Sequence, residues 1–471
     1  MTKASKPSPS KSTDNWPAGF LWGASTSSYQ IEGAWNEDGR APSVWDTHCR
    51  QKGRVNNEDT GDTACDHYHR YPEDIRLMQD IGIAAYRFSI AWPRVLPRGR
   101  GAANEKGLDF YDRLIDALLK AKIEPWICLY HWDMPQCLED LGGWTVRDSA
   151  GWFSDYTTLV ARRYGDRVRR WASFNEQNVS TLFGFAMGWS PPGITDKAAY
   201  YRAVHHQNLA HGEAIAALRS LVPNASLGVI HNRQIVYPDR KNPAHEPAVA
   251  PLDAHWNKIF PDPQILGCYP AIVADDVEPY MHAGDLTRIC QPLDWFGLNH
   301  YGPMWAKLEP NSVLGFHVGA SPDDMPHSEI GWAIYPEAFH DELLDTHKRY
   351  RLPVYVTENG CGSNKEKPDK SGTVTDKHRI AYLRDYTAAM AQAIRDGADV
   401  RGYFVWSLLD NFEWGSGYAN RFGIVRVDFD TQKRTPKASS RWYADLIRNS
   451  SGKSSVGLKV KPRPAPKQRA A

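Results

Sequence analysis

Eight short apolar runs, each followed by an amphipathic stretch, limit what this chain can fold into more than any other feature of its sequence. The runs read as strands at residues 20–25, 84–90, 124–131, 168–175, 226–231, 294–300, 352–358 and 401–407. Between them lie helical periods. The stretch 105–122 sets Leu108, Tyr111, Leu114, Ile115, Leu118 and Leu119 on one face, and 376–397 opens on Asp376 as an N-cap and closes on Gly397. Eight βα units in one chain predict an α/β protein, a single (β/α)8 TIM barrel with elaborated βα loops, notably long after the fifth and sixth strands. An open doubly wound sheet is the structural alternative. It usually announces itself by a Gly-rich phosphate loop after the first strand, whereas this chain reads FLWGASTSSYQIEG there.

Among the 471 residues no apolar run approaches the roughly 20 needed for a membrane helix, so no membrane partner is expected. The formal charge is +1, but residues 450–471 carry six Lys or Arg and no acid, and residues 1–15 carry three Lys and one Asp. The body between is therefore net acidic, with no footprint for nucleic acid. Pro, Ser and Lys replace any hydrophobic period at both ends, which predicts disordered polar segments at 1–15 and 448–471 around a catalytic domain at 16–447. Cys49, Cys65, Cys128, Cys137, Cys268, Cys290 and Cys361 are an odd set without a CxxC pair and read as reduced thiols. With no apolar leader near the N-terminus, a cytoplasmic location is expected.

In a barrel, function collects at the C-terminal ends of the strands. Those ends are polar and aromatic here: Gln30 beyond the first strand, Arg87 on the second, His131 and Trp132 after the third, Asn175 and Glu176 after the fourth, Asn299 and Tyr301 after the sixth, Glu358 on the seventh and Trp406 on the eighth. Glu358 ends the run LPVYVTE, where an ionised carboxylate beside an apolar core needs either a partner or a chemical use. Taken alone it reads as a strand end reaching water. With Glu176 it forms a pair of carboxylates able to face each other across the barrel mouth, as glycosidic bond cleavage requires. Arg87 and the Tyr301 hydroxyl would hold Glu358 ionised, and the resulting anion would keep Glu176 protonated. A two-step, configuration-retaining reaction then requires the carboxyls to lie roughly 5 to 5.5 Å apart. Arg87 also reads as a purely structural ion pair, and both roles are compatible.

The segments FLWGASTSSYQIEGAWNEDGRAPSVWD, YRFSIAWPRVLP, LYHWDMPQ, SFNEQ, GLNHYGP, VTENG and GYFVWSLLDNFEWGSGYANRFGI resemble, in order over residues 16–447, glycoside hydrolase family one, the β-glucosidase family. The resemblance implies that Glu176 is the acid/base and Glu358 the nucleophile, aided by Arg87, Tyr301 and Asn175. It implies that Gln30, His131, Trp132, Asn175, Asn299, Tyr301, Glu413, Trp414 and Phe422 surround the sugar, with Trp406 under its ring and Trp332 on the aglycone side. No cofactor and no metal are implied. The expected partner is a small glycoside or oligosaccharide, and a homo-oligomer is one open assembly state.

Two positions depart from the family pattern: Gln177 stands where proline is usual, and Ser173 where threonine is. Losing proline predicts a looser loop or an altered aglycone side. Glu413 and Trp414 are intact, and a phosphate of charge near −2 about 5 Å from an ionised Glu413 would be repelled by roughly 6 kcal/mol at an effective dielectric of 20, so unphosphorylated glycosides are expected. The expected activity is removal of terminal β-D-glucosyl residues. Broad β-glycosidase action, transglycosylation and a catalytically silent sugar-binding barrel are the alternatives.

Overall fold

The computed structural model describes residues 16–451. Eight parallel strands close into one barrel in sequence order: β1 Leu21–Ser25, β2 Ala85–Ser89, β3 Glu124–Tyr130, β4 Arg170–Asn175, β5 Ser226–Asn232, β6 Trp295–Asn299, β7 Val354–Asn359 and β8 Val400–Trp406, with β8 pairing back onto β1. Each expected strand appears within two residues of its predicted ends, because period-2 burial by β-branched and aromatic residues is a strong local signal. The doubly wound alternative is excluded by the closure.

Seven long helices pack outside: α1 His67–Ile81, α2 Glu105–Lys120, α3 Ser149–Tyr164, α4 Lys197–Leu221, α5 Pro336–Tyr350, α6 Lys377–Arg395 and α7 Ala438–Ser451. Between β5 and β6 the crossover is broken into short helical pieces, such as Val249–Asp253, Asp262–Leu266 and Ala271–Val277. The connection after β6 carries strands Met304–Leu308 and Phe316–Gly319, which join Val236–Pro238 in a small sheet. These are the two connections expected to be long. Helix α7 continues through Ser451, so the boundary drawn at 447 falls inside it. The expectations for 1–15 and for the tail beyond 451 lie outside the described residues. No helix among the described residues is long and apolar enough to cross a membrane, and the seven cysteines are free thiols.

Aromatic side chains fill the lower barrel. Trp126 stands with its ring 5.1 Å from Trp295, 4.9 Å from Tyr355 and 5.0 Å from Phe404, with Ala85, Cys128, Ala172 and Ile230 around them. Glycine makes room for two of these rings: a Cβ on Gly228 would lie 2.3 Å from the Trp295 ring, and one on Gly23 would lie 2.3 Å from Phe404. The plug stops short of the C-terminal mouth and leaves polar residues above it.

Two strands break alternation just below that mouth. On β7, Tyr355 faces the interior while Val354 and Val356 face the helices, so strict alternation would turn Glu358 outward. An irregularity between Val356 and Glu358, where Val356 pairs with Leu298 but Glu358 with Asn299, turns the carboxyl in instead. On β4, Ala172 faces in, Phe174 packs outward with its ring 4.5 Å from Phe153 of α3, and a register shift before Asn175 returns that residue to the interior. Bulges that re-aim one side chain are common beside active sites.

Asp376 precedes α6 as expected, but its side chain does not cap the helix. The carboxylate is buried and accepts from Ser439 N at 2.9 Å, Ser439 Oγ at 2.5 Å and Arg379 Nη1 at 2.5 Å, which ties α6 to α7. Asp376→Ala leaves the two Ser439 donors unpaired and Arg379 with Glu366 as its remaining carboxylate partner, and should cost about 2 kcal/mol, measured by urea unfolding. A loss below about 1 kcal/mol would show that the contact is incidental.

Candidate active site

Above the aromatic plug sits one buried guanidinium. Arg87, on β2, donates through Nη1 to Glu358 Oε1 and through Nη2 to Asn175 Oδ1 at 2.5 Å, and it lies 3.4 Å from His131 Nδ1. Tyr301 donates its hydroxyl to Glu358 Oε2 at 2.6 Å. Both oxygens of Glu358 are therefore held by donors that favour its anion. Burial pushes the Glu358 carboxyl upward from its ordinary range, and Arg87 followed by Tyr301 offset only part of that rise, so its pKa stays above that range.

Glu176 follows β4 in a left-handed conformation, φ 48° and ψ 54°, with its N–H donating to Ile230 O at 2.8 Å. Such a backbone costs of order 1–3 kcal/mol in a non-glycine residue unless its surroundings hold it. Glu176 Oε1 accepts from Asn232 Nδ2 at 3.0 Å and from Asn299 Nδ2 at 2.8 Å. The other oxygen takes no hydrogen bond from the described residues and faces the open mouth. The Glu176 pKa is raised to about 8, first by burial and second by the Glu358 charge. The sequence had suggested the neighbouring anion as the cause, but desolvation is the larger one.

Asn175 and Asn299 join the two carboxyls. Asn299 donates to Asn175 Oδ1 at 3.0 Å as well as to Glu176 and accepts from Thr357 at 2.7 Å, while Asn175 Oδ1 receives Arg87. A hydrogen-bonded chain thus runs Glu358, Arg87, Asn175, Asn299, Glu176. Asn299, proposed from the sequence as a sugar contact, is fully occupied as a bridge within it. His131 is kept neutral by burial and by Arg87, with its Nε2 3.1 Å from Asn175 Nδ2.

The remaining wall is aromatic and acidic. Trp406 is buried with its ring stacked 6.0 Å from His131, and Trp414 lies 4.6 Å from both Trp132 and Trp45. Trp132 donates its indole N–H to Asn175 O at 3.0 Å. Trp332 is 45% exposed at the rim and meets Tyr301 edge-on at 5.5 Å. Phe422 is only 1% exposed and sits behind Tyr301, Trp332 and Trp406, where it supports rings that face the mouth. Gln30 accepts from Ser27 at 2.7 Å and donates to Asn411, Phe412 O and, at 3.3 Å, Glu413.

Glu413 has its pKa raised to about 8 by burial, then by Glu358 and Glu176. Near neutral pH it is largely protonated, so charge repulsion from this residue is weaker than the sequence argument assumed.

Every residue singled out from the sequence lies at this mouth or directly behind it. Two findings go beyond them. Asn232, at the end of β5, holds Glu176, and the fifth strand was the one whose end had yielded no candidate; its position at a strand terminus was the available signal. Gln177, expected to loosen its loop, is instead buried with both ends of its amide engaged.

Fold and site together define the class: a two-carboxylate glycoside hydrolase barrel. The profile described as glycosyl hydrolase family 1 matches residues 12–452, and the chain belongs to that family. It is 40% identical to β-glucosidase A of Thermotoga maritima, covering 92% of this chain and 98% of the relative. It is also 40% identical to a bifunctional β-D-glucosidase/β-D-fucosidase of Bifidobacterium breve, over 93% and 99%. The solved β-glucosidase from Thermotoga maritima in complex with glucoimidazole superposes with a TM-score of 0.88, covering 93% of this chain and 100% of the other.

A carboxyl held protonated by the fold stabilises it fully below the ordinary pKa and loses that effect as pH rises through the shifted value. Glu413→Gln removes one such group. The melting temperature of the variant should fall less than that of the parent between pH 5 and pH 8.5; parallel curves would mean that Glu413 ionises normally.

Proposed function

We propose that this protein is a retaining β-glucosidase that hydrolyses terminal β-D-glucosyl residues through a glycosyl ester on Glu358. The observation that carries this reading is the opposed environment of two carboxyls at one mouth. Glu358 has both oxygens satisfied by Arg87 and Tyr301, whereas Glu176 has one oxygen free and a pKa raised to about 8. One is prepared to attack as an anion and the other to donate a proton.

In the first step Glu358 attacks the anomeric carbon while Glu176 protonates the leaving oxygen. Esterification removes the Glu358 charge, which is the second cause of the raised Glu176 pKa. Glu176, left as a carboxylate by that first proton transfer, is no longer destabilised by a neighbouring anion, and it takes a proton from the water that cleaves the ester, which restores Glu176 to its acid form and Glu358 to its carboxylate. Gln30 and Glu413 are assigned to the sugar hydroxyls, Trp406 to the face of the ring, and Trp332, exposed at the rim, to the aglycone. Names of relatives support glucosides first and β-fucosides as a tolerated variation. Seven unpaired thiols are compatible with a cytoplasmic site of action.

Glu358→Gln should reduce hydrolysis of a nitrophenyl β-glucoside by about 10³-fold or more. Proton NMR of the parent reaction should show β-glucose as the first product. Equal rates in parent and variant, or α-glucose first, would refute the assignment.

Glu176→Ala should cost about 10²-fold or more on alkyl glucosides and much less on dinitrophenyl glucosides, whose leaving groups need little protonation. The parent kcat/KM on alkyl glucosides should fall above about pH 8 as Glu176 ionises. A uniform loss across leaving groups would remove Glu176 from the acid role.

A further inference from the structure

Directly after Glu176 the chain places Gln177, whose side chain is fully buried and turned away from the mouth. Its Nε2 donates to Gln207 O of α4 at 3.1 Å, and its Oε1 accepts from Gln264 Nε2 at 2.7 Å. Gln264, in the short helix Asp262–Leu266, also donates to Asn208 Oδ1 at 2.8 Å and has its Oε1 3.0 Å from His231 Nε2. His231 is fully buried and held neutral, with its pKa lowered to about 3 by burial, so its Nε2 carries the proton that Gln264 accepts. The next residue along β5 is Asn232, which donates to Glu176 Oε1 at 3.0 Å.

These contacts close a ring. It runs from Glu176 through the peptide bond to Gln177, by hydrogen bonds to Gln264 and His231, along β5 to Asn232, and back to the Glu176 carboxyl. Gln177 opens the short helix Gln177–Thr181, which is pinned at its far end, where Gln207 donates to the Thr181 hydroxyl at 2.7 Å. Glu176 needs such restraint, because its left-handed backbone sits at a strand-to-helix corner with one carboxyl oxygen unheld.

We propose that Gln177 is a positioning residue that fixes the Glu176 carboxyl through this ring, so that side-chain hydrogen bonds do here what a rigid residue would do by limiting the backbone. The inference rests on Glu176 being the acid/base. The ring fixes two things at once: the start of the helix that carries the Glu176 backbone, and the strand end that carries its donor Asn232. Loosening it lets the carboxyl move relative to the leaving oxygen, and a misplacement near 1 Å is enough to cost about 10²-fold in a proton-transfer step. A freer carboxyl is also better solvated, which lowers its pKa.

The test compares the purified full chain with Gln177→Leu, which keeps volume and removes both hydrogen bonds, and with Gln264→Leu, which breaks the ring from the opposite side. Each variant should lose about tenfold or more in kcat/KM on alkyl β-glucosides while dinitrophenyl glucosides lose little. The basic limb of the pH profile should move to lower pH by about half a unit or more. The double variant should be no worse than the poorer single one, because both cut the same ring. Thermal unfolding measured alongside records the purely structural cost. Variants that are less stable but keep the parent leaving-group ratio and the parent basic limb overturn the proposal. So does failure of both to fold, since the ring would then be holding the barrel and not the carboxyl. If the parent chain cleaves no β-glucoside at all, the functional reading itself fails, and the two failures are thereby distinguished.

Discussion

The active site depends on a charge imbalance: three buried or part-buried carboxyls, Glu176, Glu358 and Glu413, stand at one mouth, and the Arg87 guanidinium pairs with one of them, Glu358. Moving an anion out of water costs several kcal/mol, so the site cannot carry three of them with one cation. Arg87 hydrogen-bonds Glu358, and Tyr301 adds a second donor. Glu176 and Glu413 respond by holding their protons. The difference in protonation that glycoside cleavage needs thus follows from where one arginine points.

That arginine is placed by the barrel. The aromatic plug of Trp126, Trp295, Tyr355 and Phe404 fills the lower half, and Arg87 above it is buried. Above it, Asn175 and Asn299 spend their amides linking the two carboxyls, which makes the constellation stiff as well as polarised. Hydrogen bonds in such a buried network polarise one another, so each link restrains its neighbours. Proton donation leaves from the single carboxyl oxygen of Glu176 that the network does not hold.

Gln177 illustrates how far the reach of such a network extends. The sequence suggested that an absent proline loosens the corner after Glu176. The fold instead supplies partners from α4 and from the broken crossover between β5 and β6, whose irregular helices bring Gln264 against the start of the next segment. A residue that looks permissive in the linear pattern is constrained from elements 30 and 87 positions further along the chain.

The sequence by itself determined the barrel and the identity of its chemical groups. Eight apolar runs of strand length mark β1 to β8 because burial on a pleated surface is a local, periodic demand, and the polar residues at their ends stand out against it. It did not determine which way those end residues face. Alternation along β7 would have sent Glu358 outward with Val354 and Val356, and alternation along β4 would have turned Phe174 inward ahead of Asn175. The register shifts that reverse both are set by pairing with β6 and β5, which is long-range information. Asn232 and the Gln264 ring escaped notice for the same reason. An asparagine or a glutamine has no signature of its own, and only the tertiary structure decides which amides meet the carboxyl that must keep its proton.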